Sequence, residues 1–271
     1  MTKICDIFSY FEELVPSNLK MDFDNVGLLV GESDATVTKV LTALDITFEV
    51  IREAQVLGAQ LIVSHHPLIF SGMKRISDAD ATGRKIMTLI KSGISAICLH
   101  TNLDCVAEGV SDALMDVLGA ECVGVLEEFG IAPDGQLYGA GRVGVMPREF
   151  SLKEFLRHTA QAIDTEGLRY SDAGKPVRRI AVCGGSGGEY METAVRFGCD
   201  TFVTADIKHD RFITASELGI NLIDGGHFAT ENVIVPRIAD KLREKFPNLE
   251  ITVSEKNADP ASFYPNTRIM G

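Results

Sequence analysis

Short apolar runs alternate along this chain with longer stretches of helical spacing. Four times a helical stretch ends at a glycine, at Gly58, Gly93, Gly198 and Gly219, and a β-rich apolar run follows directly. Glycine adopts the left-handed conformation that closes a helix at little cost, so each marks a helix C-terminus. The runs behind them, residues 61–64, 95–99, 201–204 and 221–224, are short and β-rich with apolar centres, and read as buried strands. Helices alternating with such strands predict parallel βαβ units. Seven positions past the glycines stand His65, His100, Ala205 and Gly226, so the strands end in register. There the apolar runs give way to His65 and His66; to His100, Asn102 and Asp104; to Asp206 and His209; and to Asp224 and His227. Ligands of α/β sheets gather at the carboxyl ends of strands, so four segments aim polar residues toward one region. A single polar connection would carry little weight, because loops are usually polar; four at one offset carry more.

The remaining pattern fills in around these units. Residues 1–14 set Ile7, Phe8, Phe11 and Leu14 against Lys3, Asp6, Glu12 and Glu13, the spacing of an amphipathic helix rather than a signal peptide. Residues 122–127 and 138–145 read as strands, the second ending at Pro147, and a helix over 151–163 opens with Ser151 as N-cap and Glu154 three residues on. After Glu231 a helix runs to about Lys245, and a strand at 251–254 is expected to return to the first half. The expected fold class is α/β: two interlinked three-layer α/β/α domains with mixed, largely parallel sheets. The first would comprise residues 1–101 and 228–271, the second 102–227, with joints near Asn102 and Gly226.

Composition narrows the partners. A chain of 271 residues with 45% hydrophobic content can bury one large core or two ordinary ones. Its formal charge of −12 supplies no field to attract phosphate backbones, which makes nucleic acid an unfavoured partner. Six cysteines without a CxxC pair read as reduced core residues. No apolar stretch approaches a membrane span, so a soluble, cytoplasmic protein is expected.

Candidate chemistry concentrates at the strand ends. His66 precedes Pro67, which favours extended backbone, and neighbouring side chains on an extended segment point apart. One imidazole per metal fits that geometry and calls for two metals. Consecutive histidines can be ordinary surface residues, but directly after a buried strand a ligand role is favoured. His227 and Glu231, four apart, share a helix face, and Gly225 and Gly226 permit a tight entry. Such a pair also occurs on solvated faces, so its weight comes from its company. Asp104 is a carboxylate for one ion or a bridge between two, whereas His100 suits an outer partner or proton carrier.

Two glycine motifs compete for attention. Gly139, Gly141 and Gly144 spell GxGxxG but lie within an expected strand with no helix directly behind, which rules out a dinucleotide site. The run from Gly184 to Gly188 follows an apolar strand and precedes a helix expected near Glu189; it suits either a phosphate cradle or a tight structural turn. Asp24, Asn25 and Asp45 fit capping or orienting roles, and His158 a surface role on its helix.

The segments Phe23-Asp24-Asn25-Val26-Gly27-Leu28, Ser64-His65-His66-Pro67-Leu68, His100-Thr101-Asn102-Leu103-Asp104 and Gly226-His227-Phe228-Ala229-Thr230-Glu231 resemble the signatures of the dinuclear metal-centre hexameric proteins, whose bacterial members are labelled GTP cyclohydrolase I type 2 homologues. The resemblance runs nearly end to end. It implies paired α/β domains, a homohexameric toroid, and two divalent metals in the cleft between domains, held by His65, His66, Asp104, His227 and Glu231 with Glu231 bridging. Phe23 stands where the family often has tryptophan, and the chain is too short for the inserted domain of longer members; neither departure touches a ligand. Histidine and carboxylate suit zinc, iron, manganese and cobalt alike. The expected function is a metal-dependent hydrolase in which Glu231 and a proton-shuttling His100 serve catalysis, on a small-molecule substrate such as a nucleotide or cyclic amide, GTP by label. The alternative is a non-catalytic, metal-stabilised ring acting as scaffold or regulator. A ring clamped around DNA is a third reading, opposed by the net charge.

Overall fold

Every residue of Leu61–Ser64, Ser95–Cys98, Thr201–Ala205 and Asn221–Asp224 is buried. In the computed structural model, which describes residues 1–264, these runs are the inner strands of two sheets. The strands are β1 Gly27–Val30, β2 Lys39–Ala43, β3 Leu61–Ser64, β4 Ser95–Cys98, β5 Glu121–Ile131, β6 Leu137–Phe150, β7 Arg169–Ser171, β8 Val177–Ser186, β9 Thr201–Ala205, β10 Asn221–Asp224 and β11 Glu250–Val253. The first sheet has the order β1-β4-β3-β2-β11, the second β5-β6-β8-β9-β10-β7. Strands β4, β3, β2 and β11 run parallel, and β1 closes that sheet antiparallel to β4. In the second sheet β8, β9 and β10 are parallel, flanked by antiparallel β6 and β7.

Side-chain alternation explains the layers. From β2 and β3, Val40, Leu61 and Val63 join helices Ile4–Leu14 and Ile234–Lys245 on one face, while Leu41 and Ile62 join helices Phe48–Leu57 and Ala81–Lys91 on the other. In the second sheet Ile180, Val203 and Ile223 face helix Leu152–Ala162, and Ala181, Phe202 and Leu222 face helices Met191–Arg196 and His209–Leu218. Helix Val110–Val117 contributes Val110 and Ala113 to the first core and Leu114 and Met115 to a core of the second sheet, so the two units share an element.

Local signals act as expected at most helix ends. All four glycines have positive φ, between 65° and 71°. Thr47 and Asp80 cap their helices by accepting from Val50 N and Gly83 N, and Ser151 with Glu154 forms a reciprocal capping box. Two boundaries differ from expectation. Strand β6 continues past Pro147 to Phe150 through an irregular register, where the proline's missing N–H is tolerated. The glycine run is largely strand: Gly184 to Ser186 extend β8, and a 3-10 turn at Gly188–Tyr190 precedes the helix that starts at Met191. Among the described residues no helix is long and apolar enough to cross a membrane.

Candidate metal centre

The carboxyl ends of β2, β3, β4, β9 and β10 deliver the polar side chains to one cleft. His65 and His66 follow β3 directly; His65 is fully buried, its ring Nδ1 donating to Leu99 O at 2.8 Å. Past β4, His100 leads into the short helix Thr101–Cys105 that carries Asp104. Past β10, Gly226 turns with φ 84° into helix His227–Asn232, which puts His227 and the buried Glu231 one turn apart on the same face.

Each imidazole is anchored through Nδ1. His66 donates to Asp45 Oδ1 at 2.8 Å, His227 to Asp206 Oδ2 at 2.7 Å and His100 to Asp24 Oδ1 at 2.8 Å. Such partners fix the ring and its tautomer and leave Nε2 as the free coordinating atom. The Nε2 atoms of His66 and His227 then lie 2.8 Å and 3.0 Å from Glu231 Oε2, and 3.3 Å from each other. His65 Nε2 sits 3.6 Å from Asp104 Oδ1 and 3.8 Å from Glu231 Oε2.

Donor atoms within 4.8 Å of one another form three groups able to hold a metal ion: His66, His227 and Glu231; His65, Asp104 and Glu231; and His65, His66 and His100. The first two combine nitrogen and carboxylate donors and share Glu231. His65 Nε2 and Asp104 Oδ1 are buried without a hydrogen-bond partner. Orphaned polar atoms that face each other are costly unless something binds between them, so this donor set fits a cation.

Charge is balanced tightly here. Burial opposes a charged His66, but its bonds to Asp45 and Glu231 outweigh that and raise its pKa to about 10. The bond to Glu231, joined by Asp206, outweighs burial at His227 and raises it to about 9. Burial pushes Asp104 up to about 6 against the pull of His65. Glu231 goes the other way: burial disfavours its charge, yet three histidines hold it well below the usual carboxylate range. The carboxylates around His66 and His227 thus draw positive charge to this spot in the cleft.

All five expected ligands thus converge, and His100 adjoins them with its ring centroid 5.2 Å from that of His65. Asp24 accepts from His100 and also from Thr101 N and Oγ1, so it orients that segment. Asn25 instead donates to Ile69 O, and His158 accepts no metal-site role but bonds Leu118 O from its helix. His209 is exposed and belongs to none of the three groups. Asp206, which register alone placed near the site, grips His227. Gly185, which the sequence offered only within the run from Gly184 to Gly188, has φ 61°, and a Cβ there would lie 2.0 Å from Glu231 Oε1. Packing around the carboxylate therefore accounts for this glycine within β8. Beside His66 and His227 opens a pocket of about 440 Å3. A separate cleft of about 360 Å3, lined by Val15, Leu103 and Tyr138, contains none of the donor residues.

The same chain-long pattern recurs in known proteins. A GTP cyclohydrolase 1 type 2 homolog of Clostridium perfringens is 35% identical over 263 residues, covering 96% of this chain and 99% of that protein. A crystal structure of a Staphylococcus aureus hypothetical protein superposes with a TM-score of 0.89 at 32% identity, covering 97% of this chain and 99% of the other. A Bacillus cereus protein related to NIF3 also gives 0.89, at 27% identity and 97% and 100% coverage. A family profile described as Duf34/NIF3 (NGG1p interacting factor 3) matches residues 2–260, which span both sheets and every candidate ligand, and the chain belongs to that family.

Proposed function

We propose that the cleft holds two divalent metal ions bridged by Glu231, and that the protein is a metal-dependent hydrolase of a small molecule. The observation that carries this reading is the pair of donor groups sharing Glu231, His65 with Asp104 on one side and His66 with His227 on the other. The donors are oxygen and nitrogen only, a set that suits zinc, iron, manganese or cobalt. When bound, such a pair supplies electrophilic polarisation and a water acidified toward neutral pH. The chain's own residues do the rest. Asp45 and Asp206 keep the imidazoles of His66 and His227 aimed inward. His100, anchored on Asp24 through Nδ1, keeps Nε2 free to carry a proton beside His65 and His66. The name shared by curated relatives supports a nucleotide or cyclic amide as substrate.

Assembly into a homohexameric ring is part of the proposal, supported by the apolar side chains of Val123, Phe129, Ile131 and Leu137 exposed along β5 and the start of β6. Glu231→Gln tests the whole. Elemental analysis should fall from two ions per chain, and hydrolysis across nucleotides, phosphoesters and cyclic amides should drop at least about 100-fold, with the molar mass by light scattering unchanged. A wild-type protein that takes up two ions and turns over none of these compounds, or a variant that loses its assembly with its metal, favours a metal-stabilised scaffold instead.

A further inference from the structure

The pocket of about 440 Å3 beside His66 and His227 has a distinct chemical make-up. Leu44, Phe228 and Phe263 give it apolar walls, and among the described residues that line it Arg169 is the one lysine or arginine. Arg169 opens the short edge strand β7, and its guanidinium is held from several sides. Nη2 donates to Ile207 O at 2.7 Å and to the Asp224 carboxylate, and the group lies 5.3 Å from the Phe212 ring centroid. Among the described residues Nε and Nη1 make no hydrogen bond, and the side chain remains 60% exposed. A guanidinium already fixed in place binds an oxyanion with little further loss of freedom.

We propose that this pocket binds the substrate of the metal centre through a single oxyanion, phosphate or carboxylate, on Arg169, with a flat apolar body against Phe228 and Phe263. Calling the bound molecule a substrate rests on the hydrolase reading above; the anion site itself does not. Away from the metal donors, Arg169 is the one cation among the described lining residues, so this part of the pocket takes one such group. Asp45 and Asp206 are paired with His66 and His227, and Asp224 with Arg169, but among the described residues no cation pairs with Asp259, which also faces the pocket. Further phosphates of a longer chain would meet Asp259 on this side and find their counter-charge only toward the metal donors. Phe263 reaches the pocket because Gly167 has no side chain: a Cβ there would stand 2.9 Å from the Phe263 ring.

The test is titration calorimetry with phenyl phosphate, benzoate and phenol, on metal-free and metal-loaded protein whose metal content is measured independently. Wild type should bind both anions at least about 10-fold more tightly than phenol. Arg169→Gln should remove that advantage without changing phenol binding, and Phe263→Ala, on an exposed segment that leaves β7 and β10 paired, should weaken all three ligands. The tighter of the two anions identifies the oxyanion. If Arg169 served only to pin β7 to β10, Arg169→Gln would melt earlier yet bind the anions as wild type does, and the proposal falls. It falls as well if wild type binds no anion at millimolar concentration. Arg169-dependent binding in protein that takes up no metal would sustain the anion site and overturn the hydrolase reading; turnover indifferent to Arg169→Gln and Phe263→Ala would do the reverse.

Discussion

At Gly185 a missing side chain makes room for a buried carboxylate, and replacing it separates two costs. Gly185→Ala meets both a positive φ and a 2.0 Å clash with Glu231 Oε1, whereas Gly174→Ala, at φ 70° with nothing within 4 Å, meets only the first. Each should lose about 1–2 kcal/mol from backbone strain, but only Gly185→Ala should reduce metal uptake, by at least about 10-fold in elemental analysis. The histidines allow a second expectation. In metal-free protein the folded-state pKa values of His66 and His227, about 10 and about 9, exceed the unfolded value of 6.5. Their stabilisation is therefore complete below pH 6.5 and is lost as pH rises through 9 to 10. Allowing for solvent screening, the melting temperature should fall by about 5 °C between pH 7 and pH 10, and should hold steady once metal occupies the rings. A flat metal-free profile would mean that the rings are neutral. The candidate donors were legible in the sequence because histidines and carboxylates stood just past buried strands, and the family resemblance is what gathered five of them into one set. Gly185 was not, since a glycine run looks alike whether it turns, cradles an anion or admits a distant glutamate.

Helix ends and inner strands were legible from local signals: caps are local chemistry, and each buried strand carries an apolar centre directly behind a helix-closing glycine. The edge strands were not. β7 has three residues, two of them exposed, and leaves no hydrophobic pattern to read; only its pairing with β10 defines it. Arg169 was overlooked with it. Asp206 sits at the end of β9 with φ 55°, an unusual conformation for a residue other than glycine, and its carboxylate holds His227. Asparagine tolerates that backbone, so Asp206→Asn removes the charge without adding strain. Metal affinity should weaken about 10- to 100-fold in competition with a chelator, while the metal-free melting temperature changes little because the ion pair is largely exposed. An unchanged affinity would show that the ring needs no anchor.

Across the whole molecule, His65, His66 and Asp104 leave the first sheet while His227 and Glu231 follow the last inner strand of the second, so a cation held by both sets would tie the two units together. Stripping metal with a chelator should lower the melting temperature by about 8 °C or more if the ion had been present at about 1,000 times its Kd. Hydrogen exchange should quicken around His100 and His227 and stay slow within β3; equal exchange with and without metal would argue that shared packing alone holds the units together. The paired α/β plan was visible from repeated spacing, whereas the sharing of helix Val110–Val117 between cores was not, because one apolar stripe does not reveal that it faces two neighbours. One pairing also bears on how the chain is made. β11, at residues 250–253, lies parallel beside β2, at residues 39–43. A ribosome must therefore emit the chain through Val253, roughly 200 residues after β2, before that edge is covered, and until then β2 offers unpaired backbone amides to any extended segment nearby, which is where a chaperone would be needed most.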